Sequence, residues 1–206
     1  EMFEVSCRIY REQFPLTIFP DDPSEAFRQA LIRAALELCY LDRPGRNEIP
    51  AVARQQVKEA SDFVVAREIV TMTDDPLEII LMPEFQQGVS FAYCDAPGPL
   101  DKGLKTFYAV SPIPVAWTEK QVDSFLREYN IWSMHDLTMH EAVPGHYLQL
   151  AHSNQYPSVL RALLSSGTFV EGWAVYSERV MVDAGYMEGD DRMRLINLKW
   201  YLRGIT

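Results

Sequence analysis

The feature that most restricts the fold of this chain is a Pro–Gly pair, Pro144-Gly145, set inside a helical pattern that otherwise runs from about Ile131 to Asn154. A proline cannot donate to the carbonyl four residues back, here that of His140, and its ring clashes with it. The glycine admits dihedral angles closed to other residues. The helix is therefore predicted to lose regular bonding around Val143–Gly145 and to resume after His146. The pair closes the stretch His140-Glu141-Ala142-Val143-Pro144-Gly145-His146, and the other two histidines of the chain, His135 and His152, lie close on either side.

Two histidines and an adjacent glutamate on one helix follow the logic of the zincin motif H-E-x-x-H. Imidazoles ligate zinc well, and the glutamate beside the first ligand can hold a water at the metal. In a straight helix positions i and i+4 share a side, whereas i and i+6 differ by about 120°. A break that absorbs about two residues would return His146 to the side of His140. The anomalous spacing and the helix-breaking pair coincide, which makes His140 and His146 candidate metal ligands. A third ligand is needed, and Glu171, in Phe169-Val170-Glu171-Gly172-Trp173-Ala174-Val175-Tyr176-Ser177-Glu178, is the candidate. Glu178, two turns further on the same face, and Asp136, one turn before His140, could each buttress a ligand histidine. His135, His152 and the tryptophans Trp132, Trp173 and Trp200 read as packing residues. Met134, Leu137, Leu148 and Leu150 read as core.

Charge and cysteine usage bound the partners. The 206 residues carry 19 Lys+Arg against 29 Asp+Glu, a net charge of −10, which disfavours nucleic acid and anionic surfaces. No apolar run approaches the roughly 18 residues of a membrane span. Three scattered cysteines (Cys7, Cys39, Cys94) offer neither a disulfide framework nor a C-x-x-C zinc site. With no basic-then-apolar leader at the start, these features favour a cytoplasmic location. The absence of a first Met, and an amphipathic pattern still running at Thr206, lead us to expect a piece of a longer protein. Oligomeric state is not legible.

The fold class expected is α+β and mainly α-helical, a single domain over 1–206, with a helical lead-in to about residue 50 and a metal-site core over 51–206. Helices are predicted from the Pro23-Ser24-Glu25 start to about Leu41, then roughly Val52–Thr71, Glu119–Tyr129, Ile131–Asn154 with its break, 159–164, Thr168–Asp183 and Asp190–Arg203. Between them, Leu77–Met82, Val89–Cys94 and Thr106–Ser111 are β-rich runs separated by Pro, Gly and Asp. They predict a three-stranded sheet over about 77–111, packed on a zincin-like helical core. Thr106–Ser111 could be the edge strand above the metal, holding an extended peptide by main-chain bonds, or equally an internal strand. That makes Tyr108 and Ala109 candidate substrate-binding residues, with Tyr176 a third. Tyr176, Tyr201 and Arg203 are candidates for stabilising an oxyanion.

The strings H-E-A-x-P-G-H-Y-L-Q and, about 25 residues on, E-G-W-A-x-Y-x-E resemble the bacterial domain-of-unknown-function family 885. The resemblance runs from about Val52 to the end and takes in Pro112 to Pro114 and Arg127-Glu128-Tyr129-Asn130. That family is regarded as similar to zinc-dependent metallopeptidases of the thermolysin-like clan, whose ligands are two His and one Glu. The resemblance implies zinc on His140, His146 and Glu171, with Glu141 as the catalytic base. The expected function is a zinc metallohydrolase cleaving peptide bonds. The alternatives are an amidase or deacylase acting on a small amide, or a non-catalytic fragment that keeps the motif for structure.

Overall fold

The computed structural model describes residues 1–101, 103–158, 160, 161 and 164–205. Helices dominate, and most begin where a side chain can take the first free amides. Helix α1 is Met2–Gln13 and α2 is Glu25–Cys39, the latter capped by Ser24 Oγ, which accepts from Phe27 N–H at 3.3 Å. Helix α3 is Ile49–Ala66, with Pro50 in its first turn. Helix α4 (Glu119–Glu128) starts with a capping box between Thr118 and Gln121. Helix α5 (Ile131–Glu141) starts at Asn130, whose Oδ1 accepts from Trp132 and Ser133 N–H at 3.1 and 3.2 Å. Helices α6 (His146–Gln155), α7 (Gly167–Asp183) and α8 (Asp191–Ile205) follow. The short helix predicted over 159–164 lies partly outside the described residues.

The second long helix ends five residues earlier than its pattern suggests. Ile69 N–H bonds back to Val64 O at 3.1 Å and Glu68 N–H to Val65 O at 3.2 Å, a Schellman closure that holds Glu68 at φ +52°. Glycine is the usual signal for such a stop. A glutamate in the left-handed position hides it, and Ile69 and Val70 extend the apolar pattern past the true end.

Three strands form one sheet: β1 (Leu77–Leu81), β2 (Ala92–Asp95) and β3 (Thr106–Val110), in the order β1-β3-β2. β3 runs parallel to β1, with Leu77 opposite Thr106, and antiparallel to β2, with Cys94 opposite Tyr108. This corrects the edge-strand expectation. β3 is bonded on both sides, so it has no free edge to offer a peptide, and Tyr108 and Ala109 are 1% and 0% exposed. Tyr108 is structural: its hydroxyl lies 3.3 Å from Thr138 Oγ1 and ties the sheet to α5. The edge strand on that side is β2.

One apolar core joins all of this. α5 packs on α3, α7 and α8, and α1 packs on α2 and α8. Val5, Ile9, Ala35 and Cys39 from the first two helices share the core with Met134, Met139, Met181, Leu195 and Ile196. The lead-in is thus built into the core that carries the histidines.

The break falls where Pro144 requires it. α5 stops at Glu141, α6 starts at His146, and the Val143–Pro144 peptide between them is cis. Gly145 is held by proximity: a Cβ there would lie 1.8 Å from the His140 carbonyl oxygen and 2.4 Å from that of Met139. Backbone atoms cannot swing aside as a side-chain tip would. Gly145→Ala is therefore expected to destabilise the chain by roughly 3 kcal/mol or more, read as a fall in the urea midpoint at unchanged slope.

A second prediction concerns His135, on the buried side of α5 with Nδ1 3.0 Å from the Tyr186 hydroxyl. Burial pushes its imidazole down to about 4 from 6.5. Between these values the unfolded chain takes up a proton that the folded chain refuses. The stability this contributes is complete above about pH 6.5 and is lost as pH falls towards 4, at most about 3 kcal/mol. Urea denaturation at pH 7 and 4.5 should show His135→Gln losing less stability between the two than the parent chain.

Candidate metal centre

The break brings the two histidines together. Their ring centroids lie 4.7 Å apart and their planes are nearly perpendicular. α7 supplies the third group. Ser166 Oγ caps its start by accepting from Phe169 N–H at 3.3 Å, and Trp173 Nε1–H donates to Pro144 O at 2.8 Å, fastening α7 to the break. Glu171 Oε2 then lies 3.7 Å from His140 Nε2 and 3.5 Å from His146 Nε2. One donor atom from each of the three residues falls within 4.8 Å of the others. A tetrahedral zinc with bonds of about 2.0–2.1 Å separates its donors by about 3.3 Å. The donor types and their convergence fit such an ion.

Glu178, two turns along α7, takes the opposite nitrogen of the same imidazole: its Oε1 is 2.5 Å from His140 Nδ1. With Glu178 ionised and accepting, the ring proton sits on Nδ1 and the Nε2 lone pair is left on the side of Glu171. Glu178 is 6% exposed, and burial pushes its carboxyl up to about 8. Asp136 does not reach a histidine directly. Asn197 on α8 stands between, its Nδ2 donating to Asp136 Oδ1 at 3.0 Å and to Glu178 Oε2 at 3.3 Å. Asp136 is fully enclosed and its carboxyl is raised well above the ordinary range, by burial first and then by the charge of Glu178. His146 is shifted the other way, its protonation disfavoured by burial and then by the neighbouring His140. Its Nδ1 is buried with no hydrogen-bond partner among the described residues.

Glu141 turns away from the three donors towards the sheet. The Cys94 amide on β2 donates to its Oε2 at 2.9 Å, and its carboxyl is raised to about 7, chiefly by burial. A carboxylate with that value can take and return a proton near neutrality. A cavity of about 450 Å³ adjoins it, with Glu141, His140, Leu137, Val175 and Trp200 in its wall.

The structure thus brings His140, His146, Glu171 and Glu178 together, with Glu141 alongside and Asp136 one residue further back. Tyr108 and Ala109 are not at the site. Tyr176 is 60% exposed on α7, with its ring 6.1 Å from that of Trp173. Tyr201 and Arg203 line the cavity. Two groups escaped the sequence reading. Asn197 carried a faint signal, a lone amide inside the apolar run Leu195-Ile196-Asn197-Leu198. The Cys94 amide carried none, because a backbone donor has no sequence signature.

A helix-built α+β chain with paired histidines and glutamates across a broken helix is the class that fold and site define. The chain belongs to the family of bacterial proteins of unknown function DUF885, which it matches over residues 17–205. The match includes α2, upstream of where the sequence resemblance began. A solved structure from Shewanella oneidensis, described as a putative lipoprotein of unknown function, is 35% identical with a TM-score of 0.80, over 98% of this chain and 35% of that one. One from Colwellia psychrerythraea, also described as a putative lipoprotein, is 21% identical with a TM-score of 0.67, over 98% of this chain and 32% of that one, and shows the fold. This chain therefore spans about a third of the length of each. No curated protein matches it. The expectation of a cytoplasmic location is overturned by the Shewanella oneidensis structure, whose description is that of a lipoprotein. Among the described residues no helix is long and apolar enough to cross a membrane.

The geometry makes separable demands on the candidate ligands. Zinc titrated against a competing chromophoric chelator is expected to bind one equivalent, and His146→Ala to abolish that binding. Glu178→Gln should weaken it by about 10–100-fold while circular dichroism stays unchanged.

Proposed function

We propose that this chain carries the centre of a zinc-dependent hydrolase that cleaves peptide bonds. One observation carries the reading: Glu171 meets both histidines on one side while Glu178 orients His140 from the other. His140, His146 and Glu171 would hold the ion, which when bound supplies Lewis acidity at a carbonyl and a more acidic water.

The remaining steps belong to the protein's own groups. Glu141, held by the Cys94 amide, takes a proton from the attacking water as the bond from its oxygen to the carbonyl carbon forms. As the C–N bond breaks, the same carboxyl returns that proton to the departing amine. Burial that keeps Glu141 near 7 suits both halves of the exchange. Glu178, tied back through Asn197 to Asp136, keeps the His140 ring from rotating.

Peptides are preferred over small amides because of β2. It is the strand at the end of the sheet, and its Cys94 N–H points out of the sheet to Glu141. An extended chain laid along β2 would pass the base and could bond to the strand's outer face. The lipoprotein descriptions of the two solved structures support a setting for this activity outside the cytoplasm.

The test separates metal binding from chemistry. Zinc-loaded protein is incubated with a mixed peptide library and cleavage is read by mass spectrometry. Glu141→Gln is expected to keep zinc and fold and to lose at least about 10²-fold in rate, whereas His146→Ala loses zinc first. Zinc-loaded parent protein that cleaves no peptide would overturn the peptidase reading, and Glu141→Gln that strips zinc would overturn the assignment of roles.

A further inference from the structure

The two candidate ligand histidines are unequally supported. His140 Nδ1 meets Glu178, whereas His146 Nδ1 is buried and meets no partner among the described residues. Buried polar atoms without partners are rare, because each forfeits its hydrogen bonds to water. Among the described residues three side-chain atoms are in that position: His146 Nδ1, Gln149 Oε1 and Trp200 Nε1. The first two belong to residues three apart on α6, and the third lies on α8.

Residues three apart on a helix are neighbours on its surface, and a long side chain leans back towards the N-terminus. Gln149 therefore leans over the first turn of α6, which His146 opens. Its own N–H closes that turn on the Gly145 carbonyl at 3.0 Å, so the backbone between the two side chains is fixed. An amide oxygen only accepts. A nitrogen of the neutral imidazole accepts or donates according to where the ring's single proton sits. Glu171 Oε2, 3.5 Å from His146 Nε2, draws that proton to Nε2 in the metal-free ring. Nδ1 is then a bare acceptor, as Gln149 Oε1 is, and two acceptors cannot satisfy each other.

We propose that Gln149 is the positioning residue of His146 and bonds to it only when Nε2 is given to zinc. The proposal rests on the hydrolase reading and adds how its second imidazole is held. With Nε2 committed to the ion, the proton it carried resides on Nδ1, and the ring stays neutral. The Nδ1–H then donates to Gln149 Oε1, and one bond satisfies both buried atoms. Gln149 thus does for His146 what Glu178 does for His140, but only in the metal-loaded state. Loss of such a bond is expected to weaken metal binding by about 10–100-fold.

Long-range nitrogen–proton NMR on histidine-labelled protein, which shows which ring nitrogen carries the proton, tests this without turnover. In the parent chain zinc should move the His146 proton from Nε2 to Nδ1, and both ligand rings should then show slowly exchanging Nδ1–H signals. Gln149→Met keeps the length of the side chain and removes the acceptor. It should lose the His146 signal, keep that of His140, and bind zinc about 10–100-fold more weakly with unchanged circular dichroism. Gln149→Glu, which retains an acceptor, should keep both signals. Should Gln149→Met fail to fold, Gln149→Leu removes the same acceptor with the same expectation. Both signals and parental zinc affinity in the acceptor-free variant would overturn the proposal and leave the hydrolase reading standing. A His146 ring already protonated on Nδ1 before zinc is added would do the same. A parent chain that takes up no zinc would instead overturn the reading beneath it.

Discussion

The close approach of Gly145 to the carbonyl oxygens of Met139 and His140 is the contact on which the site depends. With 1.8 Å left for a Cβ, only glycine allows the chain to turn directly under the end of α5 and start α6 there. That turn converts a six-residue spacing, which a straight helix would spread by about 120°, into two facing imidazoles. It also presents the Pro144 carbonyl, which Trp173 clasps from α7. Since α7 carries Glu171 and Glu178, one backbone contact places the whole donor set.

The second dependence is electrostatic. Asp136 and Glu178 are buried carboxyls, and each is raised by the cost of burying its charge. Groups of this kind are tolerated where hydrogen bonds replace the lost solvent. Asn197 does so for both, and His140 does so for Glu178. The polar string therefore links α5, α7 and α8, so that the orientation of one imidazole is set by three helices. A loose surface pair would leave that ring free to turn. The exposed ion pairs elsewhere, such as Arg8 with Asp191 at 2.6 Å, contribute little by comparison.

How much was legible varied with the range of the physics. Helix starts are local, and those expected at Glu25, Glu119, Ile131 and Thr168 fall within a residue of the observed ones. The end of α3 was hidden because Glu68 occupies a left-handed position normally marked by glycine. Strand identity was legible from β-rich runs, but strand order was not. Hydropathy says that Thr106–Val110 is buried and cannot say whether it has one neighbour or two, and β3 in fact lies between the other strands. That ordering moved the proposed peptide edge from β3 to β2 and removed Tyr108 and Ala109 from the site.

By itself the sequence determined the break and the identities of the groups around it. Proline and glycine act on their own backbone, and imidazole and carboxylate carry their chemistry wherever they are placed. Only the tertiary structure decided which carboxylate meets which nitrogen. It put Glu171 on the Nε2 atoms and Glu178 on Nδ1, interposed Asn197 from 61 residues beyond Asp136, and turned the Cys94 amide, 47 residues before Glu141, towards that carboxyl. The reason is physical. Local bonding operates over about one helical turn, whereas these contacts exist because distant apolar faces bury one another and carry their polar groups into register.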